Sequence, residues 1–204
     1  MAQFQREKTL RLAIYAMLTA LIIILTFTPL GYITTGALAV TLLHLPVIVA
    51  AVTLGIPGGA AMGAVWGVTC VIKAIVAPPS PLEGIVFRNP LVAVLPRVLA
   101  GTLAGLVFWA IRRKNDKTAL AAGVAAFCGA LANTLGTLSM LYVLYHAEIG
   151  LGELARFGAL TKFIGAAFAL NAPVEIAAAI LLAVPVSVAV HRAMRKETAH
   201  AHRP

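Results

Sequence analysis

Six long apolar stretches, separated by short polar or proline-rich segments, constrain the fold of this chain more than any other feature. They cover residues 10–29, 37–54, 57–77, 91–111, 119–145 and 168–191. A helix needs about 20 apolar residues to cross the hydrocarbon core of a bilayer. Because 61% of the 204 residues are hydrophobic and only 11% are charged, a soluble domain is excluded. We expect an all-α integral membrane protein, with residues 1–204 forming one bundle of six transmembrane helices and no cleaved signal peptide.

Basic residues orient the predicted bundle. With six spans, three basic clusters fall on the same side of the membrane: Arg6, Lys8 and Arg11; Arg112, Arg113, Lys114 and Lys117; Arg192, Arg195, Lys196 and Arg203. The positive-inside rule therefore places both termini in the cytoplasm. The net charge of +9 is explained by cytoplasmic edge residues that face anionic lipid headgroups, so no nucleic-acid partner is predicted.

Small residues and one proline indicate how the helices pack. Glycines recur every four residues in the third and fourth spans, which predicts close backbone contact and a central position for both: Gly59, Gly63, Gly67, Gly101 and Gly105. The first span carries Ala16 and Ala20 at the same spacing, and periodicity alone favours internal packing for this pair. Pro46 predicts a kink in the second span, and His44 either bonds the freed carbonyl or faces a pocket.

No catalytic or metal-binding pattern is present in the sequence. Cys70 and Cys128 lack CxxC spacing and are typical of small packing residues in a membrane bundle. The zinc helix HExxH, the phosphate-binding loop and the nucleophile elbow GxSxG are also missing. We therefore expect a protein that is not an enzyme, with no cofactor and no metal.

Polar residues inside the spans mark a candidate solute site. Arg97 lies about two turns into the fourth span, where an unpaired cation is costly, so it must face inward and find an acceptor such as Glu175. Asn171 and Glu175 are four residues apart on one face of the sixth span. Asn133 and Thr137 share a face of the fifth span in the same way. These residues predict a pocket that opens to the outside between the fourth, fifth and sixth spans.

The proline-rich segment 78–90 is predicted to cover this pocket as a structured lid. Trp66 and Phe87 are candidate apolar contacts for a ligand. Lys73, near the outer end of the third span, can either reach the lipid headgroups or face the pocket, and the sequence leaves both open. Tyr142 and Tyr145 lie near the outer end of the fifth span, where tyrosines often anchor a helix at the interface.

Together, these segments resemble the substrate-binding S components of energy-coupling factor (ECF) vitamin transporters. The resemblance covers nearly the whole chain and rests on the order of its motifs more than on any one of them. The motifs are a short basic N-terminus, Ala16-x-x-x-Ala20, the stretch Leu-His-Leu-Pro-Val-Ile-Val-Ala-Ala at 43–51, a glycine-rich third span, the segment from Pro81-Leu82 to Asn89-Pro90, Leu95-Pro96-Arg97, and Asn171 with Glu175.

This resemblance implies a function. S components bind a vitamin on the outer face of the bacterial cell membrane and deliver it together with a membrane coupling protein, the T component, and two ATPases that hydrolyse ATP. Ala16 and Ala20 match the alanine pair that docks on the coupling protein. The family's pocket location points here to Asn89, Arg97, Asn133, Tyr142, Asn171 and Glu175.

The pattern of segments 77–91 and 95–97 is most similar to pantothenate-type members. Pantothenate is a small carboxylate, which Arg97 or Lys73 could neutralise while Asn133 and Asn171 hold its hydroxyl and amide groups. Other vitamins remain open as alternatives: folate, cobalamin, riboflavin and hydroxymethylpyrimidine. A membrane scaffold without a solute, in which Arg97 and Glu175 form a structural pair, is the alternative of a different class.

Overall fold

The computed structural model describes residues 2–34, 39–78, 81–114, 117–149, 165, 168–169 and 172–200. The elements in chain order are α1 (Ala2–Phe27), a 3-10 turn (Pro29–Gly31), β1 (Tyr32–Thr34), β2 (Ala39–Thr41), α2 (His44–Leu54), α3 (Ile56–Val76), α4 (Pro81–Val86), α5 (Pro90–Ala93), α6 (Leu95–Lys114), α7 (Thr118–Ile149), α8 (172–178), a π-helical segment (Ala179–Ala183) and α9 (Val184–His200).

Five stretches of helix in the described part of the chain are long and apolar enough to cross a membrane. They are Gln5–Phe27, Ile56–Val76, Pro90–Arg113, Thr118–Tyr145 and Ala172–Ala193. The last of these runs through α8, the π-helical segment and the beginning of α9. The chain is therefore a multi-pass membrane protein, as its composition predicts.

The second predicted span, 37–54, differs from the structure in its first part. Residues Ala39–Thr41 form strand β2, which pairs antiparallel with Tyr32–Thr34, and helix α2 begins only at His44. Pro46 therefore lies in the first turn of α2. The backbone N–H groups there have no acceptor within the helix, so the proline costs no hydrogen bond and the kink predicted for a longer helix does not arise.

Helix α2 is short but lies at the centre of the bundle. Val47, Ile48, Ala50 and Ala51 are almost fully buried, between one cluster formed with α1 and α3 and another formed with α6, α7 and the last span. The chain turns directly from α2 into α3 at Gly55, whose φ of 82° is a conformation that residues with a side chain rarely adopt. This tight turn sets α2 and α3 side by side.

The close backbone contact predicted from the glycine spacing is confirmed. Glycines of α3 face α6: a Cβ added at Gly59 would overlap the carbonyl of Gly101, and one added at Gly63 would overlap the carbonyl of Arg97. Because no side chain separates the two backbones, the position of Arg97 is fixed directly by α3. Farther along, α6 also packs against α7, so it lies between two neighbours.

Candidate functional site

Arg97 is held in the first turn of α6 by a local break in the helix. The chain bends between α5 and α6, and Pro96 cannot supply the N–H that would bond the carbonyl of Val92 in a continuous helix. The Arg97 guanidinium takes that place: Nη1 donates to the Val92 carbonyl at 2.8 Å and to Thr137 Oγ1 at 3.1 Å. Arg97 is only 5% exposed, so this cation is buried as the sequence predicts.

Two aromatic rings flank the Arg97 guanidinium. Its Cζ lies 5.1 Å from the ring centroid of Trp66 on α3 and 5.0 Å from that of Phe87 after α4, within the range of cation–π attraction. We call Arg97, Trp66 and Phe87 the arginine cage. Both of the arginine's hydrogen bonds come from Nη1, while Arg97 Nε and Trp66 Nε1 are buried without a hydrogen-bond partner among the described residues.

Helix α7 carries the polar groups next to the arginine cage. Thr137 accepts from Arg97, and Asn133 lies one turn before it on the same face and is 4% exposed. Within the described chain, Asn133 Oδ1 is a buried acceptor that receives no hydrogen bond. The neighbouring Thr134 is also buried and donates to Glu175 Oε2 at 2.9 Å. One face of α7 thus bonds Arg97 through Thr137 and Glu175 through Thr134.

Glu175 is bound by protein groups and is not paired with Arg97. Its Oε1 accepts from the backbone N–H of Thr41 at 3.0 Å and its Oε2 from Thr134, while its backbone carbonyl lies 3.1 Å from His44 Nε2. No ion pair joins Arg97 and Glu175 in the part of the chain that the structure describes. Both of these groups find neutral hydrogen-bond partners instead, so the predicted ion pair is wrong for this conformation.

Lys73 is neither free at the headgroups nor directed at the arginine cage. Its Nζ donates to the carbonyl of Thr26 at 2.6 Å, near the end of α1, and lies 3.7 Å from the ring centroid of Tyr32. Carbonyls in the last turn of a helix lack intrahelical donors and carry partial negative charge, which suits an ammonium group.

In segment 78–90, predicted as a lid, the residues described from 81 onward pack against α7 through Val86. Tyr145 is 8% exposed and packs with Val86 and Val92, and its hydroxyl donates weakly to the Ile85 carbonyl at 3.4 Å. Tyr145 is therefore a buried contact of the lid, and the prediction that it anchors α7 at the interface is wrong. Asn89 caps α5, where its Oδ1 accepts from the backbone N–H of Leu91 at 3.0 Å.

Glu83 places a carboxyl group on the lid near the buried cation of Arg97 and the partly buried cation of Lys73. Burial raises the pKa of Glu83, and the positive charges of Lys73 and Arg97 act in the opposite direction. Glu83 precedes Phe87 by one helical turn, so the face of the lid that covers Arg97 also carries this carboxyl. Glu83 was not predicted as a site residue, although an acidic residue in a proline-rich segment between apolar spans is a visible signal in the sequence.

The other predicted site residues lie elsewhere. Tyr142 is 43% exposed and, with Leu138, Val143 and Phe168, lines an apolar cavity of about 530 Å³ that contains no residue of the arginine cage. Asn171 lies outside the described residues. Of the eight predicted pocket residues, the structure therefore brings Trp66 and Arg97 together. Asn133 lies one turn from Thr137, which bonds Arg97.

Ala16 and Ala20 are exposed on α1, although periodicity alone favours internal packing for this pair. Their face of the helix also exposes Leu12, Met17 and Ile24. The alanine pair therefore makes no close helix contact within the described chain, and it leaves a smooth, small-residue surface on the outside of the bundle.

Comparison with known proteins gives consistent results. A family model described as the substrate-specific component of ECF transporters matches residues 10–187. The pantothenic acid transporter PanT of Lactococcus lactis subsp. cremoris is 30% identical over an alignment of 165 residues, and the match covers 75% of this chain and 78% of that protein. The pantothenate transporter PanT of Leuconostoc mesenteroides subsp. mesenteroides is 34% identical over an alignment of 145 residues, and the match covers 67% of this chain and 70% of that protein.

Proposed function

This chain belongs to the family of substrate-specific components of ECF transporters, and from that premise we propose that it captures pantothenate at the outer face of the cell membrane. The captured vitamin would then pass inward through a complex with a T component and two ATPase subunits. ATP hydrolysis belongs to those partners in this proposal, and the chain itself is a binding subunit. Both relatives described above carry pantothenate in their names, which is why we place this vitamin before others.

We further propose that α2 is the second of six membrane helices, with both termini in the cytoplasm. Helix α2 has 11 residues and is about 16 Å long, so it reaches only part of the way across a bilayer, and the β1–β2 hairpin supplies the rest of the path. Arg112 and Arg113 lie near the end of α6 opposite Arg97, about 22 Å along the helix axis. Basic residues at that end support our proposal that the arginine cage lies in the outer half of the membrane.

The observation that carries the proposal is the buried cation of the arginine cage. In the described chain, Arg97 has no carboxylate within ion-pair distance, and its Nε has no hydrogen-bond partner. Nε and Nη2 form an edge of the guanidinium that binds a carboxylate through two parallel hydrogen bonds. A bound carboxylate would supply both the missing charge and the missing acceptor. Pantothenate carries one carboxylate, so its acidic end fits here.

The uncharged part of pantothenate fits the other buried polar groups. Asn133 Oδ1 is an acceptor suited to a hydroxyl or amide N–H, and Trp66 Nε1 is a donor suited to a carbonyl or hydroxyl oxygen. We keep Asn171 in the proposal because it precedes Glu175 by four residues in the sequence, although it lies outside the described residues. Asn89 and Tyr142 receive no substrate contact, because Asn89 caps α5 and Tyr142 faces a separate apolar cavity.

Thermal unfolding of the detergent-purified chain tests the proposal. The chain is heated with pantothenate, riboflavin, folate, thiamine, pyridoxine, biotin or cobalamin, and a ligand at about 100 times its Kd should add roughly 2.7 kcal/mol to the unfolding free energy. We expect a raised midpoint with pantothenate alone. A raised midpoint with a different vitamin would contradict pantothenate as the substrate but support a vitamin-binding subunit. No change in the midpoint with any vitamin would favour a membrane scaffold without a solute.

Substitution of Arg97 tests the carboxylate contact. Arg97→Gln should weaken pantothenate binding by about 100-fold or more, because a charge-assisted bidentate pair is lost, and Arg97→Lys should retain part of the affinity. Arg113→Gln is the matched control, since this arginine stacks on the exposed ring of Trp109 at the other end of α6. Equal affinity in Arg97→Gln and Arg113→Gln would contradict the assignment of the carboxylate.

Docking on the T component is proposed for the exposed face of α1 at Ala16 and Ala20. Small side chains let two helix backbones approach closely, so Ala16→Leu with Ala20→Leu should abolish uptake into cells and spare pantothenate binding by the purified chain. Ala61→Leu, at an exposed alanine of α3, is the control for bulk at the protein surface. Normal uptake by the double variant would rule out this docking face.

A further inference from the structure

We infer that Glu175 is a positioning residue that holds the β1–β2 hairpin in place next to the arginine cage, and is not a ligand of the substrate. This inference rests on the proposed function for its link to pantothenate, and on the contacts of Glu175 for its structural part. Sequence reasoning placed Glu175 among the pocket residues because a buried carboxylate in a membrane span suggests a ligand contact. In the structure, both carboxylate oxygens of Glu175 accept hydrogen bonds from protein groups.

Glu175 connects four elements. Its carboxylate accepts from the backbone of Thr41 in β2 and from the hydroxyl of Thr134 in α7, and its own carbonyl, on α8, bonds His44 in α2. The residue is 5% exposed. Hydrogen bonds to a buried carboxylate are stronger than those between neutral groups, so the strand is firmly attached at this point.

A second attachment lies on the opposite strand at the same level. Tyr32 of β1 is the register partner of Thr41, and its ring lies under Lys73 Nζ at 3.7 Å. The hairpin is thus held to α3 through Tyr32 and to α8 through Thr41. Two strands of three residues each are not stable alone in water, so these attachments determine where the hairpin lies.

The hairpin adjoins the arginine cage. Tyr32 packs against the buried cluster that contains Trp66 and Cys70, and Phe87 packs against the same cluster. Trp66 and Phe87 are the two rings that flank Arg97. Release of the Thr41 attachment would therefore loosen a wall of the site without removing a group that touches the substrate, and the bound vitamin would leave faster.

Two variants separate positioning from direct contact. Glu175→Ala removes both acceptors and should weaken pantothenate binding by about tenfold, through faster dissociation. Glu175→Gln should restore most of the affinity, because its Oε1 can accept from Thr41 and its amide can donate to Thr134, whose hydroxyl also reaches the Ala130 carbonyl at 3.2 Å. If Glu175→Ala does not fold, Thr134→Val removes one of the two groups that donate to the Glu175 carboxylate. Its affinity for pantothenate is then compared with that of the unmodified chain in the same way.

The deciding measurement pairs each variant with two ligands, pantothenate and an analogue in which hydrogen replaces both hydroxyls. A positioning role predicts that Glu175→Ala weakens both ligands by the same factor, since the carboxylate touches neither. A direct contact predicts that the loss disappears for the analogue, because the hydroxyl that would donate to Glu175 is gone. Equal loss supports the inference, and a loss confined to pantothenate overturns it.

Hydrogen exchange of the hairpin provides a readout that needs no ligand. In Glu175→Ala the backbone amide of Thr41 loses its acceptor, so peptides spanning residues 39–43 should exchange faster than in the unmodified chain and in Glu175→Gln. Ser187→Ala, farther along the same span, is the control and should leave this exchange unchanged. Unchanged exchange in Glu175→Ala overturns the inference. If pantothenate does not bind the unmodified chain, the proposed substrate fails while the exchange data still decide the role of Glu175.

Discussion

A methyl group at Gly63 tests whether the contact between α3 and α6 controls the substrate site. In Gly63→Ala the new Cβ would overlap the carbonyl of Arg97 and lie 3.0 Å from the Cα of Val98, so the α6 backbone must move by several tenths of an ångström or more. Forced overpacking of this kind costs about 1–3 kcal/mol. If the displacement of Arg97 costs about 1.4 kcal/mol of binding free energy, pantothenate binds about tenfold more weakly.

The control for this variant is Gly123→Ala on α7, where an added Cβ meets nothing within 4 Å. Both variants exchange glycine for alanine within a helix, which favours the helix by up to about 1 kcal/mol, so the difference between them isolates the overlap. Thermal unfolding and pantothenate titration of the two detergent-purified proteins give that difference. If Gly63→Ala and Gly123→Ala have the same midpoint and the same affinity, α3 does not hold Arg97 in the way described here.

Three further predictions concern the lid and the turn before α3. Burial raises the pKa of Glu83, so its contribution to stability is full below the ordinary carboxyl pKa and is lost as the pH rises through the raised value. Glu83→Gln should flatten the pH dependence of the melting midpoint above the ordinary carboxyl pKa, and an unchanged profile would contradict this. Tyr145→Phe should cost less than about 1 kcal/mol, because the hydroxyl contact at 3.4 Å is weak, whereas Tyr145→Ala should cost about 3 kcal/mol or more in thermal unfolding and raise proteolysis of the lid. Gly55→Ala should lower the unfolding free energy by about 1–3 kcal/mol, because a φ of 82° with a ψ of −169° is a conformation essentially restricted to glycine; a loss near zero would show that the turn relaxes.

The membrane spans were predictable because hydropathy is a local property. A run of about 20 apolar residues has few alternatives to a membrane helix, whatever its neighbours are. The start of α2 was not predictable in the same way. Strand β2 pairs with residues five to nine positions earlier, and apolar residues such as Ala39 and Val40 suit a strand as well as a helix.

Within the site, the sequence identified the buried cation but not its partners. The cost of an unpaired charge in a membrane required Arg97 to face inward, and the structure agrees. The predicted partner Glu175 bonds Thr41 and Thr134 instead. The burial of Tyr142 and Tyr145 was equally hard to predict from the sequence. Three residues turn a helix by about 300°, so a small rotation of α7 decides which of the two rings is buried.

The amino-acid sequence alone is enough to predict the protein class, the apolar spans, the glycine contact between α3 and α6 and the family, since these depend on composition, spacing and motif order. Three-dimensional packing is needed to know which polar groups meet: Arg97 with Trp66 and Phe87, and Glu175 with the hairpin. Helix rotation and strand pairing set these contacts. Both depend on how side chains distant in sequence fill shared space, which no local pattern specifies.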